Sequence, residues 1–377
     1  MSVALTLTGA RVLWPDGLRA GALALADGVI AEAPQGRAVD LPGCTVLPGI
    51  VDMHGDGFER HLAPRRGAVR DLGAGLAAVE AELAACGITT AVLAQFWSWE
   101  GGMRGPEFAQ RFLEALEHYE AVGTDMRAQL RFETHMLDDY GAFADAVERY
   151  GVGYVVFNDH LPHDALDRGK RPPRLTGQAL KGGRSPEAHL GLLRALHAQG
   201  GAVPAALDAL AAGLGAAGVR MGSHDDRTGA ARAAWQARGV DVAEFPETEE
   251  AARAARSAGD AIVLGAPNVV RGGSHTGRVS AGELVAAGLC DALASDYHYP
   301  APLQAARALA GQVGWPEAWA LVSSGPARAL GLQDRGALRP GLRADLVVLD
   351  PAGRVGLTMA GGRITHASGE VAQRLLG

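Results

Sequence analysis

Leu41–Asp56 reads LPGCTVLPGIVDMHGD. One short apolar run ends in Pro48-Gly49, and a second ends in His54-Gly55-Asp56. Residues two apart on a strand face the same side. His54 and Asp56 therefore sit side by side at the carboxyl end of a strand, where an imidazole and a carboxylate suit a divalent metal such as zinc. A bare HxD is a common pattern. Its weight here comes from the rest of the chain.

Downstream of Asp56 the pattern alternates strand and helix. Strand candidates are Ile88–Ala94, Gln129–Thr134, Val152–Asn158, Val219–Ser223, Val242–Phe245, Ala261–Leu264 and Leu293–Ser295. Amphipathic helix candidates lie between them, among them Leu72–Cys86, Phe108–Val122 and Glu187–Gln199. With the strand ending at His54 the count is eight, which predicts an α/β fold: a TIM-type (β/α)8 barrel with its active site at the carboxyl ends of the strands. Residues 3–48 instead read as short antiparallel hairpins with Asp-Gly turns, and ADLVVLD and RVGLTMAGGRIT near the other end have the same texture. Both termini are thus expected to build one small β-sandwich domain, 1–50 with 335–377, around a barrel of 51–334.

The 377 residues and 48% hydrophobic content suffice for a barrel plus an accessory unit. A formal net charge of -7 argues against a dedicated nucleic-acid binder. No apolar run approaches the roughly 20 residues that span a bilayer, and the first residues lack a basic stretch followed by an apolar core. Cys44, Cys86 and Cys290 are too scattered for a disulfide framework. A cytoplasmic protein without membrane or nucleic-acid partners is expected, with homo-oligomerisation left open.

Ionisable residues gather at the predicted strand ends: His54 and Asp56; Glu133 and His135 in RFETH; Asp159 and His160 in VVFNDH; His224, Asp225 and Asp226 in GSHDD; Glu244; and Asp296 in ALASDYH. Convergence at one barrel face is the signal of a site. Two metals sharing a hydroxide need a bridging anion. The only lysines, Lys170 and Lys181, lie in a basic loop away from any strand end, so Glu133 is the better bridge. His54, Asp56 and Asp296 then serve one metal, and His160 and His224 the other. Such a pair activates water and polarises a substrate oxygen. Asp296 is the candidate general base. Zinc is the first choice of ion, with manganese or iron as alternatives that the same ligands accept.

These residues resemble the amidohydrolase superfamily: LPGIVDMHGD is similar to its strand-one signature, with HxD for the commoner HxH, and DRGALRPGLRADLVVLD to its return into the small β domain. SHDD at Ser223–Asp226, AEFP at Ala243–Pro246, GAPNVVRGGSHTG at Gly265–Gly277 and SDYHYPA at Ser295–Ala301 resemble, more narrowly, the α-D-ribose 1-methylphosphonate 5-triphosphate diphosphatase family of phosphonate metabolism. The resemblance implies cleavage of a 5-triphosphate to a 5-phosphate with release of pyrophosphate at a metal centre. It implies the same metal residues: the HxD pair, Glu133, His160, His224 and Asp296. Two stretches depart from the family: HGDG stands where it has approximately HTDN, and PHDALDRGKRPPRLTGQALKGGR follows His160 in place of a tyrosine- and lysine-rich run.

A phosphorylated small-molecule substrate needs cations. Arg65 and Arg66 follow strand one. Arg271 lies in VVRGGSH, whose glycines can offer backbone N–H groups to an anion, and His275 closes that stretch as a candidate ligand of a phosphate oxygen. Six basic residues between Arg168 and Arg184 read either as further phosphate contacts or as a solvated loop. The same metal ligands would also serve a C–N hydrolase, a deaminase or deacylase. A catalytically silent binding relative is the reading from another class.

Overall fold

Ten consecutive buried residues, Ile88–Trp97, form the second strand of an eight-stranded sheet. Burial on both faces is what a parallel strand covered by helices requires, and it explains the mostly apolar run. The structure is a computed structural model and describes residues 2–63, 71–272 and 279–377. The eight strands stand in chain order: Ile50–Gly55, Ile88–Trp97, Asp125–Glu133, Tyr154–Asn158, Arg220–His224, Val242–Glu244, Ala261–Gly265 and Ala292–Ala294. A parallel bridge between Gly55 and Asp296 joins the last strand to the first, which gives the TIM-type barrel. Every strand expected from the sequence is present, with ends shifted by a few residues.

Helix starts follow local chemistry. The Asp71 carboxylate accepts from the Gly73 and Ala74 N–H groups at the head of Leu72–Ala85. The Thr228 and Thr248 hydroxyls accept from the Ala231 and Ala251 N–H groups and open Gly229–Gln236 and Glu249–Ala258. Caps of this kind contribute roughly 1 kcal/mol each. The basic stretch 168–184 is not wholly loop: Leu175–Lys181 is a helix, nucleated where Leu175 and Ala179 bury one face.

The chain forms two compact units, Met1–Leu93 with Tyr119–Arg127 and Ala261–Gly377, and Ala94–His118 with Ala128–Asp260. In the first, both termini share a six-stranded sheet: Leu346–Leu349 pairs antiparallel with Thr45–Pro48, Val348 opposite Val46. A four-stranded sheet containing Leu5–Thr8 accompanies it. Leu7, Leu25, Val46, Val348 and Met359 belong to one apolar cluster, the sandwich expected from the two termini. Thr45–Pro48 passes through Gly49 directly into barrel strand one. A β-carbon at Gly49 would stand 2.2 Å from the Thr89 hydroxyl, so this crossing has room only for glycine.

In the second unit an apolar cluster gathers Trp99, Leu161, Leu175 and Leu193. His189 lies beside it, its ring 5.8 Å from that of Trp99. His189 is fully buried and, among the described residues, neither ring nitrogen has a hydrogen-bond partner. Burial, and then the nearby Arg184 charge, push its pKa below the ordinary value. The unfolded chain takes up a proton near pH 6.5 while the folded one stays neutral, so this residue lowers stability as pH falls below that value and leaves it unaffected above. His189→Leu is expected to stabilise the protein by about 1 kcal/mol, the lower end of the cost of an unmet buried polar group. Its urea midpoint should also decline less between pH 7 and 5 than that of the parent. An unchanged or lowered midpoint at pH 5 would contradict this.

Candidate metal centre and active site

In the first unit the site is set by barrel strands one and eight. His54 is fully buried, and Asp56 and Asp296 are half-buried. The two strand ends are tied by the backbone: Asp296 N–H donates to the His54 carbonyl at 3.0 Å, and Asp56 N–H donates to the Asp296 carbonyl at 2.8 Å. His54, Asp56 and Asp296, three of the six predicted ligands, are therefore brought to one place by two backbone segments. Beneath them lies Asp52, whose carboxylate accepts from the Ser295 N–H at 2.8 Å and the Ser295 hydroxyl at 2.5 Å. Burial pushes the Asp52 carboxyl up despite these two bonds. A β-carbon on Gly55 would stand 2.8 Å from each of Asp52 Oδ2, Ser295 Oγ and Tyr299 Cε1. That close approach accounts for glycine between His54 and Asp56, where the resembling family carries threonine.

In the second unit the centre is Glu133, at the end of strand three and 1% exposed. One carboxylate oxygen lies 2.5 Å from His160 Nδ1; the other accepts from the His160 N–H at 3.1 Å and from the Trp99 indole N–H at 3.2 Å. Burial alone would raise the Glu133 carboxyl, but the His160 imidazole and these donors outweigh it and hold the pKa below its usual value. His160 is raised in return: the facing carboxylate overrides burial. His224 is the third predicted ligand here. Ligand atoms of His160, His224 and Asp225 lie within 4.8 Å of one another. All are imidazole or carboxylate donors, a set that fits a divalent transition metal.

Among proteins of known activity, the chain is 34% identical over 323 residues to the alpha-D-ribose 1-methylphosphonate 5-triphosphate diphosphatase of Escherichia coli (strain K12), spanning 83% of this chain and 85% of that one. The chain belongs to this diphosphatase family. A diphosphatase family is a family of hydrolases. Solved structures share the fold at low identity. They include N-acetyl-D-glucosamine-6-phosphate deacetylase from Mycobacterium smegmatis (20% identity, 96% of this chain and 99% of that one, TM-score 0.61). Another is N-acyl-D-glutamate deacylase from Bordetella bronchiseptica, complexed with zinc and a phosphonate inhibitor (16%, 97% and 96%, 0.59). A third is an amidohydrolase from a Sargasso Sea environmental sample (15%, 97% and 93%, 0.64). No family model matches the chain.

In this diphosphatase-family chain the strand ends carry backbone strain. Among the described residues, the four non-glycine residues with positive φ are Asp27, Asp225, Phe245 and Asp296, and the last three follow barrel strands five, six and eight at 60°, 53° and 55°. Left-handed backbone is uncommon for such residues and an outlier for a bulky one. It clusters where surrounding structure forces a functional geometry. No periodicity in the sequence announces it.

Several residues that contact the candidate ligands carry no signal in the sequence. Trp99 holds Glu133. Arg131, buried in strand three, donates to His224 Nε2 at 3.0 Å and lies over the Phe96 ring at 3.9 Å. Asp225, one of the strand-end residues that the sequence singles out without assigning it to a metal, joins the second-unit ligand group. By contrast Asp226, counted with the strand-end residues, turns away to accept from the Ser223 hydroxyl at 2.5 Å and from Arg232 at 3.3 Å. Glu244 accepts from Gln129 at 2.8 Å and from the Tyr154 hydroxyl at 2.6 Å.

The expected substrate cations fare differently. Arg65, Arg66 and His275 lie outside the described residues. Arg271 is exposed and ends the short helix Ala266–Arg271; of the two glycines expected to offer N–H groups to an anion, Gly272 caps this helix and Gly273 lies outside the described residues. Its guanidinium donates to the Asn268 side chain at 3.1 Å and lies 5.8 Å from the centre of the Tyr297 ring. Of the basic stretch, Arg184 is spent on the Trp99 carbonyl at 2.8 Å, Arg171 faces Glu187 at 3.4 Å and Arg168 faces Asp164 at 3.9 Å. Among the described residues no helix is long and apolar enough to cross a membrane.

Proposed function

We propose that this chain hydrolyses the 5-triphosphate of a ribose 1-phosphonate to the 5-phosphate, releasing pyrophosphate, with two divalent ions, zinc in the first place. The reading is carried by 34% identity to a diphosphatase over most of both chains. The strand-end imidazoles and carboxylates support it. His54, Asp56 and Asp296 would hold one ion and His160 and His224 the other, with Glu133 as the carboxylate that would be shared between them. Bound divalent ions supply Lewis-acid polarisation of the phosphoryl oxygen and a more acidic water.

The protein's own groups do the rest. Water attacks phosphorus, the P–O bond between the α and β phosphates breaks, and pyrophosphate leaves. The Asp296 carboxylate accepts the water's proton as general base, and its backbone bonds to strand one fix the aim of that carboxylate. Trp99 and the His160 N–H hold Glu133 in one orientation. Arg131 places a buried positive charge beside the ligands, and Arg271 offers a planar fork to the phosphate chain.

Two results test this reading. Stripping metal with a chelator should abolish triphosphate hydrolysis, and zinc or manganese should restore it; full activity in demetallated protein would rule the mechanism out. Arg271→Ala should lower kcat/KM by about 10- to 150-fold, equivalent to about 1.5–3 kcal/mol for a hydrogen bond to a charged group, with bound metal unchanged. Untouched kcat/KM would remove Arg271 from substrate binding.

A further inference from the structure

Five side chains just beyond barrel strands three and four form a second polar cluster that the proposed reaction does not use. His135 follows Glu133, Asp159 follows strand four, His163 and Asp167 bound the helix His163–Asp167, and His197 lies on Pro186–Ala198. Asp159 stands 2.9 Å from His163 Nε2 and 3.5 Å from His135 Nδ1. His163 Nδ1 lies 2.8 Å from His197 Nδ1, and His197 Nε2 lies 2.9 Å from Asp167.

Counting hydrogens along this chain exposes a deficit. Asp159, His163, His197 and Asp167 make three consecutive contacts, and each needs one hydrogen. Two neutral imidazoles carry two hydrogens between them, and the ionised carboxylates carry none. One link is therefore short unless an extra cation enters. A metal ion between Asp159 and His163 Nε2 resolves it. That link then needs a lone pair and no hydrogen; His163 Nδ1–H donates to His197, and His197 Nε2–H donates to Asp167. The result is a metal-bound histidine oriented through its other nitrogen, the usual outer support of a metal site.

The remaining geometry agrees. Ligand atoms of His135, Asp159 and His163 all lie within 4.8 Å of one another. Their closest separations of 2.9 and 3.5 Å bracket the roughly 3.3 Å expected between neighbouring ligands around a tetrahedral zinc with bonds of about 2.0–2.1 Å. The His135 side chain is 9% exposed, whereas Asp159 and His163 are 40% and 33% exposed and within reach of an ion from solvent.

We infer that His135, Asp159 and His163 form an additional divalent-metal site of the zinc class, with His197 and Asp167 as its supporting shell. It clamps the segments that follow Glu133 and Asp159 to the helix His163–Asp167. The full-length chain, stripped of metal, is titrated with zinc chloride, passed through gel filtration and its zinc counted. The parent should hold one zinc per chain more than His163→Ala, and His197→Ala should hold that extra ion about 10- to 100-fold more weakly. Cobalt(II) in place of zinc should give a visible difference spectrum between parent and His163→Ala. His135→Asn serves as the second deletion should His163→Ala fail to fold by circular dichroism. Equal zinc in the parent and a folded deletion variant would overturn the inference, for it would leave a proton as the cation of the chain. Because the count is a difference between chains with the same His54, Asp56, Glu133, His160, His224 and Asp296, it stands or falls independently of the proposed reaction.

Discussion

Asp296→Asn is expected to lower triphosphate turnover by roughly 10²–10⁴-fold, the contribution of a positioned general base, while metal content and melting temperature stay close to those of the parent. The backbone is what makes this substitution informative. Asp296 has φ 55°, a conformation that asparagine tolerates about as well as aspartate. Its N–H and carbonyl bond to strand one through main-chain atoms alone, and these survive the change. Asparagine also keeps an oxygen for a metal. What disappears is the negative charge that the proposed mechanism uses to take the water's proton. The variant is assayed for kcat, for bound metal by elemental analysis and for thermal midpoint. Turnover within a few-fold of the parent would remove Asp296 as the base; simultaneous loss of metal would make it a ligand first.

The largest structural effect is expected at Arg232. Its side chain is fully buried, with Nε on Asp260 at 2.9 Å and Nη1 on the Ser223 hydroxyl at 2.6 Å, on Asp226 at 3.3 Å and on the Val242 carbonyl at 3.2 Å; Nη2 donates to the Val240 carbonyl. Ser223 immediately precedes His224, and Val242 begins the strand that ends at Glu244. One guanidinium thus pins the ends of two barrel strands. Arg232→Leu leaves Asp226 and Asp260 buried without their cation and should cost about 3–5 kcal/mol, the usual penalty for removing one partner of a buried pair. Urea denaturation at neutral pH measures it. A loss below about 1 kcal/mol would show that water reaches the two carboxylates and that the network is not a buried one.

The barrel was legible because its strands are buried on both faces and so read as apolar runs, and the terminal sandwich because Asp-Gly turns punctuate it. The limits of that reading fall at polar residues. Ile88–Ala94 extends to Trp97 because Gln95, polar in sequence, is buried and donates to the Phe96 and Met103 carbonyls. Strand three starts at Asp125 rather than Gln129 because its first residues are partly exposed and carry no apolar signal. The helix Leu175–Lys181 is short and set among prolines, glycines and charges, so its two buried residues give too little periodicity to find.

At the site, the residue types that bind metal stand out at strand ends, and the structure gathers His54, Asp56 and Asp296 in one unit and Glu133, His160 and His224 in the other. Their supports, Asp52, Trp99, Arg131 and Ser295, are ordinary in sequence and acquire their roles only through partners tens to hundreds of residues away. The separation of Asp225 from Asp226 shows the same limit. Adjacent aspartates are equivalent in a motif, but the left-handed backbone at Asp225 sends one toward His160 and His224 and the other toward Arg232.

The central claim is a metal-dependent diphosphatase, and its products test it most directly. Metal-loaded enzyme is incubated with α-D-ribose 1-methylphosphonate 5-triphosphate and followed by ³¹P NMR, alongside a panel of N-acyl amino acids scored for amine release. The account predicts pyrophosphate and the 5-monophosphate in equal amounts, no orthophosphate as first product, and no amine. An intact triphosphate together with amine released from the panel would contradict it and assign the same strand-end residues to C–N bond hydrolysis.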